Sequence, residues 1–305
     1  MKIVVLMSTY NGEKYLREQL DSIINQDIKD EAQLEILVRD DGSKDATHCI
    51  LDEYAAEGKL TWYTGENLRP GKSFWHLVSS APNADYYAFC DQDDVWFSDK
   101  LSRGIKVLEQ ENKNIPLLYC SDVTVTDGNL NPLEVNKNVC NTYVDYAHSL
   151  IYSTAPGCTF IFNDLSRREY MKYDMNKECE LIHDWLAHKI TLIKGKMILD
   201  KAPSMYYRQH GNNVIGAKKT GIKSFLDKIN RFWNGESSFV RSNVAKSLLN
   251  VYSEDMSEEK LQITRMVANY KEDSKLRRKF KKEKSFKSGK KENFFRNILI
   301  TFKKV

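Results

Sequence analysis

The chain has 305 residues, of which 41% are hydrophobic and 29% charged, so it can bury a sizeable core in one large domain, with or without an appendage. This composition excludes collagen-like, low-complexity and fully disordered chains, since enough apolar surface exists to offset the ordering of the backbone. The formal net charge of +4 belongs to the tail, because residues 271–305 carry 14 Lys or Arg against 4 Asp or Glu and the rest of the chain is net acidic.

The sequence predicts a cytoplasmic protein with reduced thiols. Its first apolar run, residues 3–7, is far shorter than the core of a signal peptide or the ~20 residues of a membrane span. The six cysteines lie at least 18 residues apart and form no C-x-x-C pair. This spacing indicates mostly buried thiols rather than a metal or redox site.

Short apolar runs alternate with amphipathic stretches in the first 120 residues. Strands are predicted over residues 3–7, 34–38, 60–63 and 86–90. Helices are predicted over residues 15–24, 46–56 and 73–80. This alternation predicts crossover units on a mainly parallel sheet, whose ligands bind at the carboxyl ends of the strands.

The second half of the chain has a less regular pattern. Residues 117–162 are strand-like, a helix follows around residues 183–185, and residues 206–213 favour a loop because they contain Gly and Asn. Beyond residue 221 the pattern is helical. We therefore predict an α/β domain over residues 1–220 and a helical C-terminal region over residues 221–305.

Acidic clusters directly follow two of the predicted strands. Asp91 and Asp93 project to the same side of an extended segment, where two carboxylates can grip one divalent cation together with a phosphate. Asp41 can accept hydrogen bonds from a nucleobase or a ribose, and Gly42 permits close backbone approach. Each cluster alone is also typical of a solvated turn. Their joint position at strand ends favours one shared cleft.

Three polar segments together resemble the family 2 glycosyltransferases, which have the GT-A fold. They are Ser8-Thr9-Tyr10-Asn11-Gly12, Asp40-Asp41-Gly42-Ser43 and Asp91-Gln92-Asp93-Asp94, in this order and at this spacing. The resemblance covers about residues 1–215. It implies an α/β, GT-A (Rossmann-like) nucleotide-sugar-binding fold with a mainly parallel central sheet. The nucleotide-sugar contacts that we expect are Thr9, Tyr10, Asn11, Asp41, Asp91, Gln92 and Arg208.

The second half extends the resemblance to the acceptor and the metal. Gly157-Cys158 resembles the family's acceptor-site segment, and Asp184 falls where inverting members place their general base. The usual Glu-Asp pair is His183-Asp184 here. Residues 208–213 are similar to a segment of bacterial rhamnosyltransferases that act on O-antigen or cell-wall polysaccharide, in which a nearby histidine approaches the metal or the diphosphate. The resemblance therefore implies a Mn²⁺ or Mg²⁺ ion held by Asp91, Asp93 and His210.

The chemistry of sugar transfer requires such groups. A departing nucleoside diphosphate gains negative charge, which a metal or a fixed cation such as Arg208 stabilises. The acceptor hydroxyl needs a base, for which Asp184 is the candidate. Trp185 is a candidate for stacking on the acceptor sugar, and its alternative place is the core. A lone histidine such as His183 is more often a packed or solvent-facing residue.

The basic tail contains an amphipathic helical pattern. Residues 294, 295, 298, 299 and 302 fall on one stripe flanked by Lys and Arg, as in helices that lie on anionic membranes. The alternative is a helix packed on its own domain within a solvated basic tail. Nucleic acid is not an expected partner, since the body is net acidic and has no groove-reading motif. We therefore predict peripheral attachment to the inner face of the cell membrane.

These observations predict an inverting, metal-dependent glycosyltransferase that moves rhamnose from dTDP-rhamnose to a lipid-linked bacterial surface polysaccharide. One alternative is a nucleotidyltransferase, although residues 8–12 lack the expected Gly-rich basic loop. Another is a non-catalytic, membrane-associated polysaccharide-binding scaffold, against which the joint presence of Asp91, Asp93 and Asp184 argues. The helices after residue 221 leave room for a homo-oligomer, although no sustained heptad is evident.

Overall fold

The computed structural model describes residues 1–28, 32–133, 140, 144–178, 181–210, 241–286 and 289–303. The strands are β1 (Lys2–Thr9), β2 (Gln33–Asp40), β3 (Thr61–Thr64), β4 (Tyr86–Cys90), β5 (Val95–Trp96), β6 (Leu117–Thr126), β7 (Ile161–Asn163) and β8 (Lys196–Arg208). The helices are α1 (Leu16–Ile24), α2 (Thr47–Ala56), α3 (Arg69–Ser80), α4 (Lys100–Glu109), α5 (Tyr146–Ser149), α6 (Asp164–Met171), α7 (His183–Lys194), α8 (Arg241–Tyr252), α9 (Glu258–Asn269), α10 (Ser274–Lys282) and α11 (Lys290–Thr301).

The strands form one eight-stranded mixed sheet in the order β3-β2-β1-β4-β7-β6-β8-β5. The pairs β1–β2, β1–β4, β2–β3 and β6–β8 are parallel. Strand β7 runs antiparallel to both β4 and β6, and β5 runs antiparallel to β8. The predicted α/β fold with a mainly parallel sheet is thus confirmed, and the carboxyl ends of β1, β2 and β4 lie side by side.

The burial of central strand β1 on both faces of the sheet explains why the first apolar runs of the sequence correctly predicted strands. Val4 and Leu6 pack into the core on one face of the sheet, whereas Ile3, Val5 and Met7 pack into the core on the other. A strand covered on both faces is apolar at every position. The strands and helices predicted before residue 90 are all present.

The prediction of a loop over residues 206–213 is wrong at its start. Tyr206 and Arg208 belong to β8 and pair in parallel with Thr124 and Thr126 of β6. Strand β8 carries several exposed polar positions, so its pairing is set by its neighbours rather than by an apolar pattern. Residues 211–213 lie outside the described residues.

The C-terminal helices pack on the same core as the sheet. Leu248, Val267, Phe280 and Ile300 belong to the buried cluster that contains Val4 of β1. Residues 211–240 are not described, so the division of the chain at residue 220 stays a prediction. None of the helices in the described ranges is both long and apolar enough to span a membrane. The five described cysteines are free, and all but Cys49 are buried.

Candidate active site

The polar segments that follow β1 and β4 are joined by the side chain of Gln92. The Tyr10 N–H donates to Gln92 Oε1 at 2.8 Å, and Gln92 Nε2 donates to the Tyr10 carbonyl at 3.1 Å. The Asn11 N–H donates to Ser43 Oγ at 2.8 Å, and Asn11 Oδ1 accepts from the Lys44 N–H at 2.9 Å. These bonds bring the three predicted nucleotide-binding segments into one cleft.

Asp40, which the sequence analysis did not single out, organises the turn after β2. Its buried carboxylate accepts hydrogen bonds from the Gly42 N–H at 2.9 Å, His48 Nε2 at 2.7 Å and Thr9 Oγ1 at 3.1 Å. Burial alone would raise the pKa of Asp40, but the hydrogen bonds from Ser43, His48 and Thr9 outweigh it and lower the pKa. Asp40 is therefore the anchor that shapes this turn and, through Thr9, ties it to β1.

The adjacent Asp41 lies at the rim of this turn. Its buried carboxylate is ion-paired with Arg39 and accepts a hydrogen bond from the Leu68 N–H at 3.1 Å. Arg39 also donates to Ser73 Oγ at 3.0 Å and to the Glu66 carbonyl at 2.9 Å. A contact from Asp41 to a nucleobase stays a prediction.

The structure brings the carboxylates of Asp91, Asp93 and Asp94, which follow β4, together with that of Asp184 on α7. Burial, Asp93 and Asp184 raise the pKa of Asp91 to about 7. Burial also raises the pKa of Asp94, which lies deeper and is fully buried. The predicted base and the predicted metal carboxylates therefore share one electrostatic environment.

Asp184 occupies the first turn of α7, where its carboxylate is held by two backbone N–H groups. Oδ1 accepts from the Trp185 N–H at 2.6 Å, and Oδ2 accepts from the Gly157 N–H at 3.3 Å. Burial raises the pKa of Asp184 to about 6. A Cβ at Gly157 would approach His183 Nε2 at 2.4 Å. The predicted acceptor turn at Gly157-Cys158 thus packs directly against the predicted base.

Arg208 is buried and is bonded to several groups of the protein. Its Nε donates to the Asp93 carbonyl at 2.8 Å, its N–H donates to Asp94 Oδ1 at 3.0 Å, and its guanidinium pairs with Glu18. His210, two residues later, places Nε2 2.8 Å from Asp93 Oδ2. A direct contact from Arg208 to the diphosphate stays a prediction. In this arrangement Arg208 fixes the acidic loop, which is the segment of residues 91–94.

The donor set suits a hard divalent cation. Carboxylate oxygens are the ligands that Mg²⁺ and Mn²⁺ prefer, and Oδ2 of the fully buried Asp94 has no hydrogen-bond partner in the described part of the chain. Potential ligand atoms of Asp91, Asp94 and Cys158 lie within 4.8 Å of one another. The predicted set of Asp91, Asp93 and His210 shares Asp91 with this group, and His210 Nε2 lies 2.8 Å from Asp93 Oδ2. The residues present therefore fit a bound metal.

His183 and Trp185 flank Asp184 in different surroundings. His183 stacks on Phe74 at 3.9 Å between ring centroids and meets Phe89 edge-on at 4.9 Å. Burial lowers the pKa of His183 to about 3, so the ring is neutral at pH 7. Trp185 is only partly buried and packs against the core. His183 is thus an aromatic core residue, and a contact from Trp185 to an acceptor sugar stays a prediction.

Lys100 is a residue at this site that the sequence analysis missed. It is fully buried, its Nζ donates to the Cys158 carbonyl at 2.5 Å, and Nζ lies 3.7 Å from the centroid of the Trp96 ring. Burial lowers its pKa to about 8. A signal existed, because Lys100 shares a helical face with the buried residues Gly104 and Leu108. Lys100 therefore holds the predicted acceptor turn at Gly157-Cys158 in place.

The sequence of this chain is similar to those of known glycosyltransferases. Residues 4–163 match the sequence profile of "Glycosyl transferase family 2". The chain is 31% identical to "dTDP-rhamnosyl transferase RfbG" of Shigella flexneri over 82% of this chain and 85% of that protein.

Two solved structures share the fold at low sequence identity. S. aureus TarS 1-349 in complex with UDP-GlcNAc has a TM-score of 0.58 and 16% identity, covering 100% of this chain and 82% of that one. The mannosyltransferase PcManGT from Pyrobaculum calidifontis, in complex with GDP-Man and Mn²⁺, has a TM-score of 0.52 and 15% identity, covering 93% and 71%.

Proposed function

This chain belongs to glycosyl transferase family 2, and from that membership we propose that it is an inverting, metal-dependent rhamnosyltransferase. The donor would be dTDP-rhamnose and the acceptor a lipid-linked bacterial surface glycan. The single observation that carries the proposal is the meeting of the buried Asp184 with the partly exposed Asp91 and Asp93 in one acidic cleft. The name of the RfbG relative supports the choice of donor.

Asp184 acts as the general base in this proposal. Its ionised carboxylate accepts the proton of the acceptor hydroxyl as the oxygen attacks the anomeric carbon from the face opposite the nucleoside diphosphate. The N–H groups of Trp185 and Gly157 hold the carboxylate in a fixed orientation at 2.6 and 3.3 Å. Attack from that face inverts the anomeric configuration.

The acidic loop positions the donor. Gln92 ties this loop to Tyr10, and Arg208 holds the Asp93 carbonyl at 2.8 Å, so the carboxylates are fixed before the donor binds. Asp91 and Asp93 would hold a Mn²⁺ or Mg²⁺ ion with His210 beside them, and the bound metal supplies Lewis-acid stabilisation of the leaving diphosphate. Thr9, Asn11 and Asp41 line the same cleft as proposed nucleotide contacts.

A membrane-bound acceptor suits the C-terminal surface. Phe294 of α11 and Phe302, which directly follows α11, are exposed by 70% and 55%, and the surrounding tail is rich in lysine. Such a surface favours anionic lipid. We therefore propose peripheral binding at the inner face of the cytoplasmic membrane, with no nucleic-acid partner. A homo-oligomer stays a prediction.

The test measures donor hydrolysis and glycosyl transfer from dTDP-rhamnose, with and without EDTA and added Mn²⁺. We expect dTDP as product, loss of activity in EDTA, and recovery with Mn²⁺ in the wild-type protein but not in Asp93→Ala. The matched control is Asp99→Ala, which removes a half-exposed carboxylate from the start of α4. Full activity in chelator would refute the metal role, and release of pyrophosphate would indicate nucleotidyl transfer instead.

A further inference from the structure

Two cations pack against the same tryptophan beside the proposed base. Lys189 Nζ lies 5.1 Å from the centroid of the Trp185 ring, and the guanidinium carbon of Arg241 lies 5.6 Å from it. Lys189 is on α7 and Arg241 begins α8, so two elements far apart in sequence supply them. The sequence analysis singled out neither residue.

These cations are bonded to neutral groups. Lys189, which is 1% exposed, donates to the Trp185 carbonyl at 2.9 Å, and Arg241 Nε donates to the Ile151 carbonyl at 2.6 Å. In the ranges that the structure describes, neither cation forms a salt bridge. Burial and the Arg241 charge lower the pKa of Lys189 to about 7, whereas the Asp184 carboxylate opposes this change. The cluster therefore carries more positive than negative charge.

A third cation adds to this imbalance. Arg296 of α11 is 3% exposed, and its Nε has no hydrogen-bond partner among the described residues. Burial lowers the pKa of both Arg241 and Arg296, and the hydroxyl of Tyr152 raises both, so the two guanidinium groups lie near the same tyrosine. Burying like charges together costs free energy. Binding of an anion offsets this cost through Coulomb attraction and charge-assisted hydrogen bonds. The imbalance therefore indicates an anionic ligand.

The position of the cluster indicates which ligand carries the anion. Trp185 follows Asp184 directly, and Lys189 lies one helical turn beyond Trp185 on α7. The Asp184 carboxylate raises the pKa of Lys189 against the lowering by burial, so the two charges lie close enough to interact. The planar guanidinium of Arg241 suits the paired oxygens of a phosphate or a carboxylate. An anion held here would therefore belong to the molecule whose hydroxyl meets Asp184.

We propose that Lys189, Arg241 and the ring of Trp185 form an acceptor subsite for an oxyanion, either a phosphate or a carboxylate. The oxyanion lies beside the first turns of α7, near the hydroxyl that reacts. The inference rests on the proposed function, because it takes Asp184 as the base that meets the acceptor. It gives the acceptor a chemical requirement, a negative charge near its reactive end.

Direct binding of two probes tests the subsite. Octyl phosphate and methyl β-glucuronide are titrated calorimetrically into the full chain in EDTA, which disables metal-assisted phosphate binding at the donor site. We expect at least one probe to bind and its Kd to rise at least about tenfold in Lys189→Met and in Arg241→Gln. The probe that binds identifies phosphate or carboxylate as the source. The control, Lys246→Gln, removes an exposed α8 lysine that pairs with Glu272 at 2.9 Å, and it should bind as the wild type does.

Stability and hydrolysis measurements separate the competing explanations. If Lys189 served the fold alone, Lys189→Met would lower Tm, whereas relief of the buried like charges keeps Tm within about 2 °C of the wild type or raises it. Failure of both probes to bind, or equal binding by the wild type and the variants, overturns the subsite. Hydrolysis of dTDP-rhamnose is measured in parallel on the wild type. Absent hydrolysis with intact oxyanion binding refutes the proposed function alone, and intact hydrolysis without oxyanion binding refutes the subsite alone.

Discussion

Asp184 is held by the backbone on both carboxylate oxygens, so its orientation does not depend on a partner side chain. This arrangement explains how the site tolerates His183 where family members usually carry glutamate. His183 fills an aromatic pocket formed by Phe74 and Phe89, and the carboxylate of Asp184, the proposed base, is oriented by the N–H groups of Gly157 and Trp185. We therefore expect that Asp184 is the residue of this pair that takes part in transfer.

Replacing Asp184 by Asn removes the proton acceptor and keeps the shape of the side chain. We expect kcat for transfer to fall by about 10²–10⁴-fold, because the acceptor hydroxyl then attacks without a base. Binding of dTDP-rhamnose, measured by thermal shift with Mn²⁺, should persist. The control is Asp174→Asn, which alters a carboxylate that pairs with Lys177 at 3.2 Å. Equal kcat for the two variants would place the base elsewhere.

Lys100 supports the site through the contacts of its buried amine, which donates to the Cys158 carbonyl at 2.5 Å and to Met205 Sδ at 3.3 Å. Lys100→Met leaves the buried Cys158 carbonyl without its donor and removes the cation from the Trp96 ring. We expect the free energy of unfolding to fall by about 1–3 kcal/mol, measured in urea. Lys106→Met, an exposed change on the same helix, should stay within about 0.5 kcal/mol of the wild type. Matching unfolding curves for the two variants would contradict the role of Lys100.

At the scale of elements, α7 places two neutral histidines in the core. Burial lowers the pKa values of His183 and His188 to about 3, while unfolded histidine titrates near 6.5. Between these pH values the unfolded chain binds more protons than the folded one, so each histidine makes the protein less stable as pH falls below about 6.5. Carboxylates with raised pKa values, such as Asp184, oppose this trend.

The His183→Leu variant isolates the contribution of one histidine. Between pH 6.5 and 5, its free energy of unfolding should rise relative to the wild type by up to about 1.4 kcal/mol per pH unit. Chemical denaturation at several pH values measures the difference. The variant His76→Leu changes an exposed histidine and should give a shallower slope. A difference for His183→Leu that is independent of pH would show that His183 is charged or exposed in the folded state.

The element pattern also explains which parts of the fold were predictable. Strands β1 and β4 are buried along almost their whole length and β2 towards its carboxyl end, so their apolar runs directly precede the polar ends that form the site. The pairing of β8 with β6 is interrupted by a bulge where Lys201 and Ala202 are exposed, and β5 has only two residues. Their existence depends on partners elsewhere in the chain. Lys100 and Arg241 were missed for the same reason, since their roles arise from contacts across the fold.

At the scale of the whole molecule, the C-terminal helices contribute side chains both to the buried core and to the exposed surface. Leu299 and Ile300 of α11 are buried, whereas Phe294 and Phe302 are exposed. The predicted stripe at 294, 295, 298, 299 and 302 is therefore divided, because Leu299 faces the protein's own core whereas Phe294 and Phe302 face outward. The sequence pattern contains the apolar residues but not the direction of the core. The two alternatives of membrane binding and internal packing are consequently compatible.

The outward face of α11 makes membrane binding testable without disturbing the core. In the double variant Phe294→Ser and Phe302→Ser, we expect the partition coefficient onto phosphatidylglycerol vesicles to fall at least about tenfold, since two aromatic anchors are lost. Lipid-free Tm should remain near that of the wild type, because both side chains are exposed. The control, Met171→Ser, alters a residue of α6 that is 42% exposed and should bind as the wild type does. Co-sedimentation at low and high salt measures both the apolar and the electrostatic contributions. If the double variant sediments fully with vesicles, the basic residues alone hold the protein at the membrane and the aromatic residues serve another contact.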